Sequence, residues 1–255
     1  VKNLNDNAPV YTSDTTSNVN ENQTSALTVV ATDADGDALS YSISGGANED
    51  SLSINSTSGV LTFNSAPDYE TKNSYVIVVD VIDGGFVTSQ EVTINIINVN
   101  EPPVILSSDT FSADENQTAI DNVSASDPEG SLVTYELSGT DANSLTISSS
   151  GVLTFNSAPN YESKNTYSFV VSIGDGVNTT TQDITININD INDEPVVTSA
   201  SYDLNLLPQD QTSKAITLSA SDEDGDTLTY SIVSNGTYGT ASFSAQSATE
   251  TINVS

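Results

Sequence analysis

The stretch SGVLTFNSAPDYE at residues 58–70 returns as SGVLTFNSAPNYE at residues 150–162, with twelve of thirteen positions identical. Other landmarks return at nearly the same distance. Glu21-Asn22-Gln23-Thr24 becomes Glu115-Asn116-Gln117-Thr118, Asp33-Ala34-Asp35-Gly36 becomes Asp127-Pro128-Glu129-Gly130, and Asp83-Gly84 becomes Asp175-Gly176. The run VTINIINVNEPP at 92–103 becomes ITININDINDEP at 184–195. A tandem period of about 93 residues gives each copy enough chain to close a core of its own, so the repeats are beads rather than turns of a solenoid. A third copy opens after Pro195. There Asp222-Glu223-Asp224-Gly225-Asp226 with LTYSI matches Asp33-Ala34-Asp35-Gly36-Asp37 with LSYSI, whereas NGTYGTASF at 235–243 matches nothing upstream.

Within each copy the apolar residues keep a period of two. Leu39, Tyr41 and Ile43 alternate with polar residues, as do Val92, Ile94 and Ile96. The second copy repeats this at Tyr135 and Leu137 and at Ile184, Ile186 and Ile188. Short strands, about seven per copy, separated by Gly, Asn, Asp and Ser turns predict an all-β chain of tandem Greek-key β-sandwiches with antiparallel sheets. No stretch carries a helical period. The expected divisions are an N-terminal linker (1–8), a first module (9–100), a second (101–193) and a partial or divergent third (194–255). Tyr41/Tyr135/Tyr230, Tyr69/Tyr161 and Tyr75/Tyr167 recur in register and are expected in core or corner positions; Tyr11, Tyr202 and Tyr238 fall outside that register.

Charge narrows the function. The chain carries 35 Asp and Glu against 4 Lys and Arg, a net charge of −31, and has no Cys, His, Met or Trp. Thiol and imidazole chemistry and the usual zinc sites are excluded. Nucleic acid is repelled, because four scattered lysines form no basic patch. No apolar run reaches the roughly 20 residues of a membrane-spanning helix, so no membrane insertion is expected. The chain opens on Val1 without an apolar leader and is read as a piece of something longer. The Asn-x-Ser/Thr sequons reflect composition in a chain this rich in Asn, Ser and Thr.

The acidic residues recur in place as well as in number. A Glu lies near the first strand, an acidic pair follows the second, a Tyr-Glu pair sits in the middle, and an Asp follows the sixth strand. Solvated loop charge explains most acidic runs, but it does not repeat spacing. A catalytic carboxylate pair need occur only once, so no enzymatic activity is expected of residues that recur in every copy. Oxygen donors without nitrogen or sulfur suit Ca²⁺, which takes about six to eight of them.

Four motifs in order carry a resemblance to the cadherin repeat, and to cadherin-like modules of large bacterial surface proteins. They are Glu-Asn near the start of each full copy, Asp-x-Asp-Gly, Asp68-Tyr69-Glu70, and the linker Asn-Leu-Asn-Asp-Asn-Ala-Pro at residues 3–9. The resemblance implies Ca²⁺ at each junction. For the first junction it implies ligands Glu21, Asp68 and Glu70, then Asn98, Asn100 and Glu101 from the linker, and Asp127, Glu129 and Asp175 from the second copy. For the second it implies Glu115, Asn160, Glu162, Asp190, Asn192 and Asp193, with Asp222 and Asp224 from the third copy. Asn5, Asp6, Asp33, Asp35 and Asp83 would serve a junction upstream, and Asp210 one downstream. The chain departs from the family pattern at Asn98, Glu101 and Glu129, which implies fewer or looser ions at the first junction, and at Asn160 in the second.

The function expected from the resemblance is a Ca²⁺-stiffened adhesion or spacer segment of a larger secreted or cell-surface protein, located outside the cell. Its expected partners are Ca²⁺, a cell-surface protein or polysaccharide, and weak homophilic contacts. The alternative is a carbohydrate-binding module array of an extracellular polysaccharide-degrading system, which the absence of Trp weakens.

Overall fold

A computed structural model of the chain describes residues 4–197, 219–232 and 253–254. The chain forms two compact units. The first comprises Val1–Val104 with the loops Ser126–Val133 and Gly174–Thr179, and the second comprises Ile105–Ala125, Thr134–Ile173 and Thr180–Ser255.

The first repeat contributes β1 (Val10–Tyr11), β2 (Thr16–Asn20), β3 (Ser25–Thr28), β4 (Ala31–Thr32), β5 (Ser40–Gly45), β6 (Leu52–Ile54), β7 (Val60–Phe63), β8 (Ser74–Ile82) and β9 (Val87–Ile97). Strands β2-β9-β8-β5 form one sheet and β3-β7-β6 a second, with β1 paired to β4. Alternation decides which faces meet. Ile77, Val79 and Val81 of β8 and Val92, Ile94 and Ile96 of β9 turn inward, and Leu52, Leu61 and Phe63 of the smaller sheet join them in one buried cluster. Tyr41 is buried there, and Tyr75 packs edge-on against Phe63 with ring centres 5.0 Å apart. Tyr69 is half-buried against the same cluster, so the recurring tyrosines of this repeat take core and corner places.

The second repeat follows the same plan with β10 (Val104–Ile105), β11 (Thr110–Asp114), β12 (Ala119–Asn122), β13 (Ala125–Ser126), β14 (Thr134–Ser138), β15 (Leu145–Ile147), β16 (Val152–Phe155), β17 (Thr166–Gly174) and β18 (Thr179–Asn189). Its sheets run β11-β18-β17-β14 and β12-β16-β15. Phe111, Leu145, Leu153, Phe155, Val171, Ile184 and Ile186 are buried, and Tyr167 meets Phe155 as Tyr75 meets Phe63. In the third repeat β19 (Val196–Val197) pairs with β20 (Ala220–Ser221), and Leu228 is buried. Asp210, Tyr202, Tyr238 and most of the third module lie outside the described residues. No helix among the described residues is long and apolar enough to cross a membrane.

One feature differs from the antiparallel expectation. β2 runs parallel to β9, from Thr16↔Thr93 to Asn20↔Ile97, and β11 runs parallel to β18. The physical consequence is that both strands of each pair finish at the same end. Glu21 therefore leaves β2 beside the linker that leaves β9, with its peptide N–H on the Ile97 carbonyl at 3.2 Å.

The turn before β7 tests the backbone. Gly59 has φ +70°, and a Cβ there would stand 2.2 Å from the Val29 carbonyl oxygen. Gly36 also has a positive φ, +78°, but a Cβ would meet nothing within 4 Å. Gly36→Ala is expected to cost about 1–2 kcal/mol, the left-handed penalty alone. Gly59→Ala, which must also displace backbone, is expected to cost more than Gly36→Ala. Urea midpoints of the two variants check the order.

Candidate metal centre

Three groups of acidic side chains gather at the ends of the repeats, and each is positioned by backbone amides. At the N-terminal end of the first unit, Asp33 Oδ1 accepts from the peptide N–H groups of Asp35 and Asp37 at 2.9 and 3.1 Å. Asp35 Oδ2 accepts from those of Asp6 and Asn7 at 3.0 and 2.8 Å. Asp83 Oδ1 accepts from those of Gly85 and Phe86 at 2.8 and 2.7 Å. Carboxylate oxygens of Asp33, Asp35 and Asp37 lie within 4.8 Å of one another. The peptide bonds hold Asp35 and Asp83 below the usual carboxylate range, led by the N–H of Asn7 in one case and of Phe86 in the other.

The second group also lies wholly within the first unit, because the loops around Asp127 and Asp175 belong to it. Glu21, only 3% exposed, anchors it. Its Oε2 accepts from the Tyr69 N–H at 2.7 Å and its Oε1 from the Val99 N–H at 2.8 Å. Glu21, Asp68 and Glu70 form one cluster within 4.8 Å, and Glu70, Glu101 and Glu129 another. Glu129 Oε1 accepts from the Glu101 N–H at 3.1 Å. Asp175 and Asp127 stand outside these clusters. Asp175 Oδ2 accepts from Asn100 Nδ2 at 2.7 Å, and Asp127 Oδ1 accepts from the Ser131 N–H at 3.0 Å. Asn98 Nδ2 donates to Glu70 Oε1 at 2.8 Å.

The third group lies within the second unit. Glu115 repeats the Glu21 arrangement, with Oε2 on the Tyr161 N–H at 2.7 Å and Oε1 on the Ile191 N–H at 2.9 Å. Glu115, Glu162, Asp190 and Asp224 offer oxygens within 4.8 Å of one another. Asp224 Oδ2 accepts from the Asp193 N–H at 2.6 Å. Asp222 Oδ1 accepts from the Asp226 N–H at 3.0 Å, and Asn192 Nδ2 donates to the Asp193 carbonyl at 2.8 Å. Asn160 Nδ2 donates to Glu223 Oε1 at 2.8 Å.

Electrostatics follow from this crowding. Burial, then the charges of Glu21, Glu101 and Asp68, push the Glu70 carboxyl up. Burial, Asp127 and Glu101 do the same to Glu129. Burial, Asp224, Glu115 and Asp193 raise Asp190, and burial with Glu115 and Asp224 raises Asp193. Asp175 shifts the other way, held down first by Asn100 and then by the Val177 and Asn178 amides. The one ion pair among the described residues, Lys164 with Asp141, lies outside all of these groups.

The donor set fits a hard divalent cation. Buried oxygens of Asn5 (Oδ1), Asp33 (Oδ2), Asp83 (Oδ2), Asp127 (Oδ2), Glu129 (Oε2) and Asp224 (Oδ1) have no hydrogen-bond partner. A buried anionic oxygen left unpaired is costly, and all six are oxygens of the kind Ca²⁺ takes. Sequence reasoning missed Asp37 and Glu223. The third acid of Asp33-Ala34-Asp35-Gly36-Asp37 was a usable signal, whereas nothing in the sequence links Glu223 to Asn160.

Two carboxylates should respond in opposite ways to loss of charge. Glu21→Gln places an N–H donor against the Tyr69 or Val99 N–H, with an expected loss of about 1–3 kcal/mol even in EDTA. Glu70→Gln removes a charge that its neighbours already oppose, and should leave stability in EDTA unchanged or raised. Urea unfolding of both variants in EDTA measures the contrast.

Residues 15–100 match the Cadherin domain family model, and residues 100–187 match the Bacterial Ig domain model. The chain is 33% identical over 145 residues to Protocadherin Fat 4 from Homo sapiens, across 52% of this chain and 3% of that protein. It is 31% identical over 175 residues to Chitinase A from Pseudoalteromonas piscicida, across 68% of this chain and 21% of that protein. The chain therefore spans a small part of these relatives' length. The crystal structure of human CDH23 EC21-23 matches with a TM-score of 0.55 at 22% identity, across 84% of this chain and 80% of that chain, a likeness of fold.

Proposed function

Residues 15–100 are a cadherin domain within a tandem of cadherin-like sandwiches, and from that premise we propose that the chain is a Ca²⁺-binding adhesion or spacer segment of a larger extracellular protein. The observation that carries the reading is the set of buried, unpartnered carboxylate oxygens of Asp33, Asp83, Asp127, Glu129 and Asp224. Ca²⁺ would supply the positive charge that these oxygens lack. The modules are taken as residues 9–100 and 101–193, with a third beginning at 194.

Each acidic residue has its own task in holding the ion. Glu21 and Glu115, fixed by two peptide N–H groups each, present the remaining lone pairs of a carboxylate that cannot swing away. Glu70, Glu101 and Glu129 at the first junction, and Glu162, Asp190 and Asp224 at the second, close around the same space. Asp127 and Asp175 bring ligands from the second module, and Asp68 adds a third from the first. Asn98, Asn100, Asn160 and Asn192 offer amide oxygens once their side chains rotate, and Asp193 and Asp222 complete the second junction. Asn5, Asp6, Asp33, Asp35 and Asp83 serve the N-terminal end, with Asp37 added. Without a cation the clustered carboxylates repel one another, and small polar contacts do not hold modules in one orientation. With it, repulsion becomes shared ligation and the tandem stiffens. An affinity of about 10⁻⁴–10⁻³ M, as in extracellular modules, matches a compartment rich in Ca²⁺.

A second reading is favoured by the likeness to a segment of Chitinase A. In it the modules belong to a secreted polysaccharide-degrading protein and bind its substrate. Depletion of the fragment by insoluble chitin at fixed Ca²⁺ supports this reading, and its absence supports the spacer. The calcium reading itself is tested by small-angle scattering. The maximum dimension and its spread should change between EDTA and millimolar Ca²⁺, and identical curves would overturn it.

A further inference from the structure

Two residues outside all the acidic clusters share one unusual geometry. Asn22 and Asn116, with φ of 62° and 61°, are the non-glycine residues of positive φ among those described. Each directly follows a buried glutamate, Glu21 or Glu115. Each peptide N–H donates to a proline carbonyl, Pro67 or Pro159, at 3.0 Å. Each side-chain amide then donates to an acid of the linker, Asn22 Nδ2 to Glu101 Oε1 and Asn116 Nδ2 to Asp193 Oδ1 at 2.9 Å.

The backbone alone does not explain this choice. Glycine takes the left-handed region without strain, and asparagine is the side chain that tolerates it best. Both repeats place Asn there, and both aim its amide at the same kind of target. Glu101 needs a fixed direction, since an oxygen of its carboxylate lies within 4.8 Å of one each from Glu70 and Glu129. Left to repulsion, a flexible glutamate turns away from two like charges.

We propose that Asn22 and Asn116 are positioning residues for the junctional cation. The left-handed turn splits two consecutive side chains, sending the glutamate into the cluster and the asparagine to the linker. The amide then holds one oxygen of Glu101 or Asp193 and leaves the other free to ligate. This rests on the calcium reading, and it assigns a role to residues that donate no ligand themselves.

The full chain, titrated calorimetrically with CaCl₂, tests it. Asn22→Gly keeps the left-handed turn and removes the amide. It is expected to weaken Ca²⁺ at the first junction roughly tenfold, the usual scale for a group that orients a metal ligand, without lowering the unfolding temperature in EDTA. Asn116→Gly should do the same at the second junction. In a Glu101→Ala background, Asn22→Gly should have no further effect on affinity, because the carboxylate it orients is gone. A loss of affinity that persists in that background overturns the inference, since the turn alone would then be responsible. Asn22→Gly titrating like the unaltered chain also overturns it and leaves the calcium reading standing. An unaltered chain that takes up no Ca²⁺ overturns both.

Discussion

A buried carboxylate clamped by two peptide amides, Glu21 in the first repeat and Glu115 in the second, is the interaction on which the rest of each acidic group depends. Each clamp joins three stretches of chain: the end of the first long strand, the Tyr69 or Tyr161 loop, and the start of the linker at Val99 or Ile191. Charge-assisted bonds of this kind are stronger than neutral ones, and a buried acid without them would be very costly. The clamp is possible because β2 and β9 run parallel and finish together. An antiparallel edge would send Glu21 to the opposite end of the sandwich from the linker. The parallel edge is thus the feature that lets one glutamate organise the donor groups around it.

How much of this can be read in the sequence depends on the range of the interaction. The sandwich is legible because alternation is local: Val92, Ile94 and Ile96 declare their inward face without reference to any partner. The acidic positions are legible because they repeat. The direction of β2 is not, since period two is the same whichever way a strand runs. The hydrogen bonds of Asn98 to Glu70, Asn100 to Asp175 and Asn160 to Glu223 are equally invisible, because they join residues 28, 75 and 63 positions apart. The sequence marks Asn98 and Asn160 as departures from the family pattern and Asn100 as an ordinary ligand. The structure gives them a second property, as donors that accompany the carboxylates.

The acidic groups around Glu21 and Glu115 distribute their charge differently. At the first, Asn98 stands in the linker where the second has Asp190, and the acid cluster around Glu21 splits into two overlapping triads that share Glu70. At the second, four carboxylates form one group that includes Asp190. Asn160 there lacks the charge of Asp68, but Glu223, one position before Asp224, supplies an acid beside it. A charge lost from one loop has its counterpart in another. Counting substitutions position by position therefore understates the charge around Glu115.

The asparagines also bear on how such a site could empty and refill. A carboxylate cluster with no counter-charge must either spread apart or take up protons, and burial first, then the neighbouring acids, raises the Glu70, Glu129 and Asp190 carboxyls in that direction. An amide within reach relieves part of it by turning its N–H₂ toward the acid, as Asn98 does to Glu70. The same side chain turned about its last bond presents an oxygen instead. A ring of carboxylates mixed with such amides has two internally consistent arrangements, one bonded to itself and one facing a cation. Carboxylates alone have only the second, so replacing some of them by asparagine lowers the cost of the cation-free state as well as the affinity for the ion. In the calcium reading both changes favour reversible binding at the cation levels outside a cell.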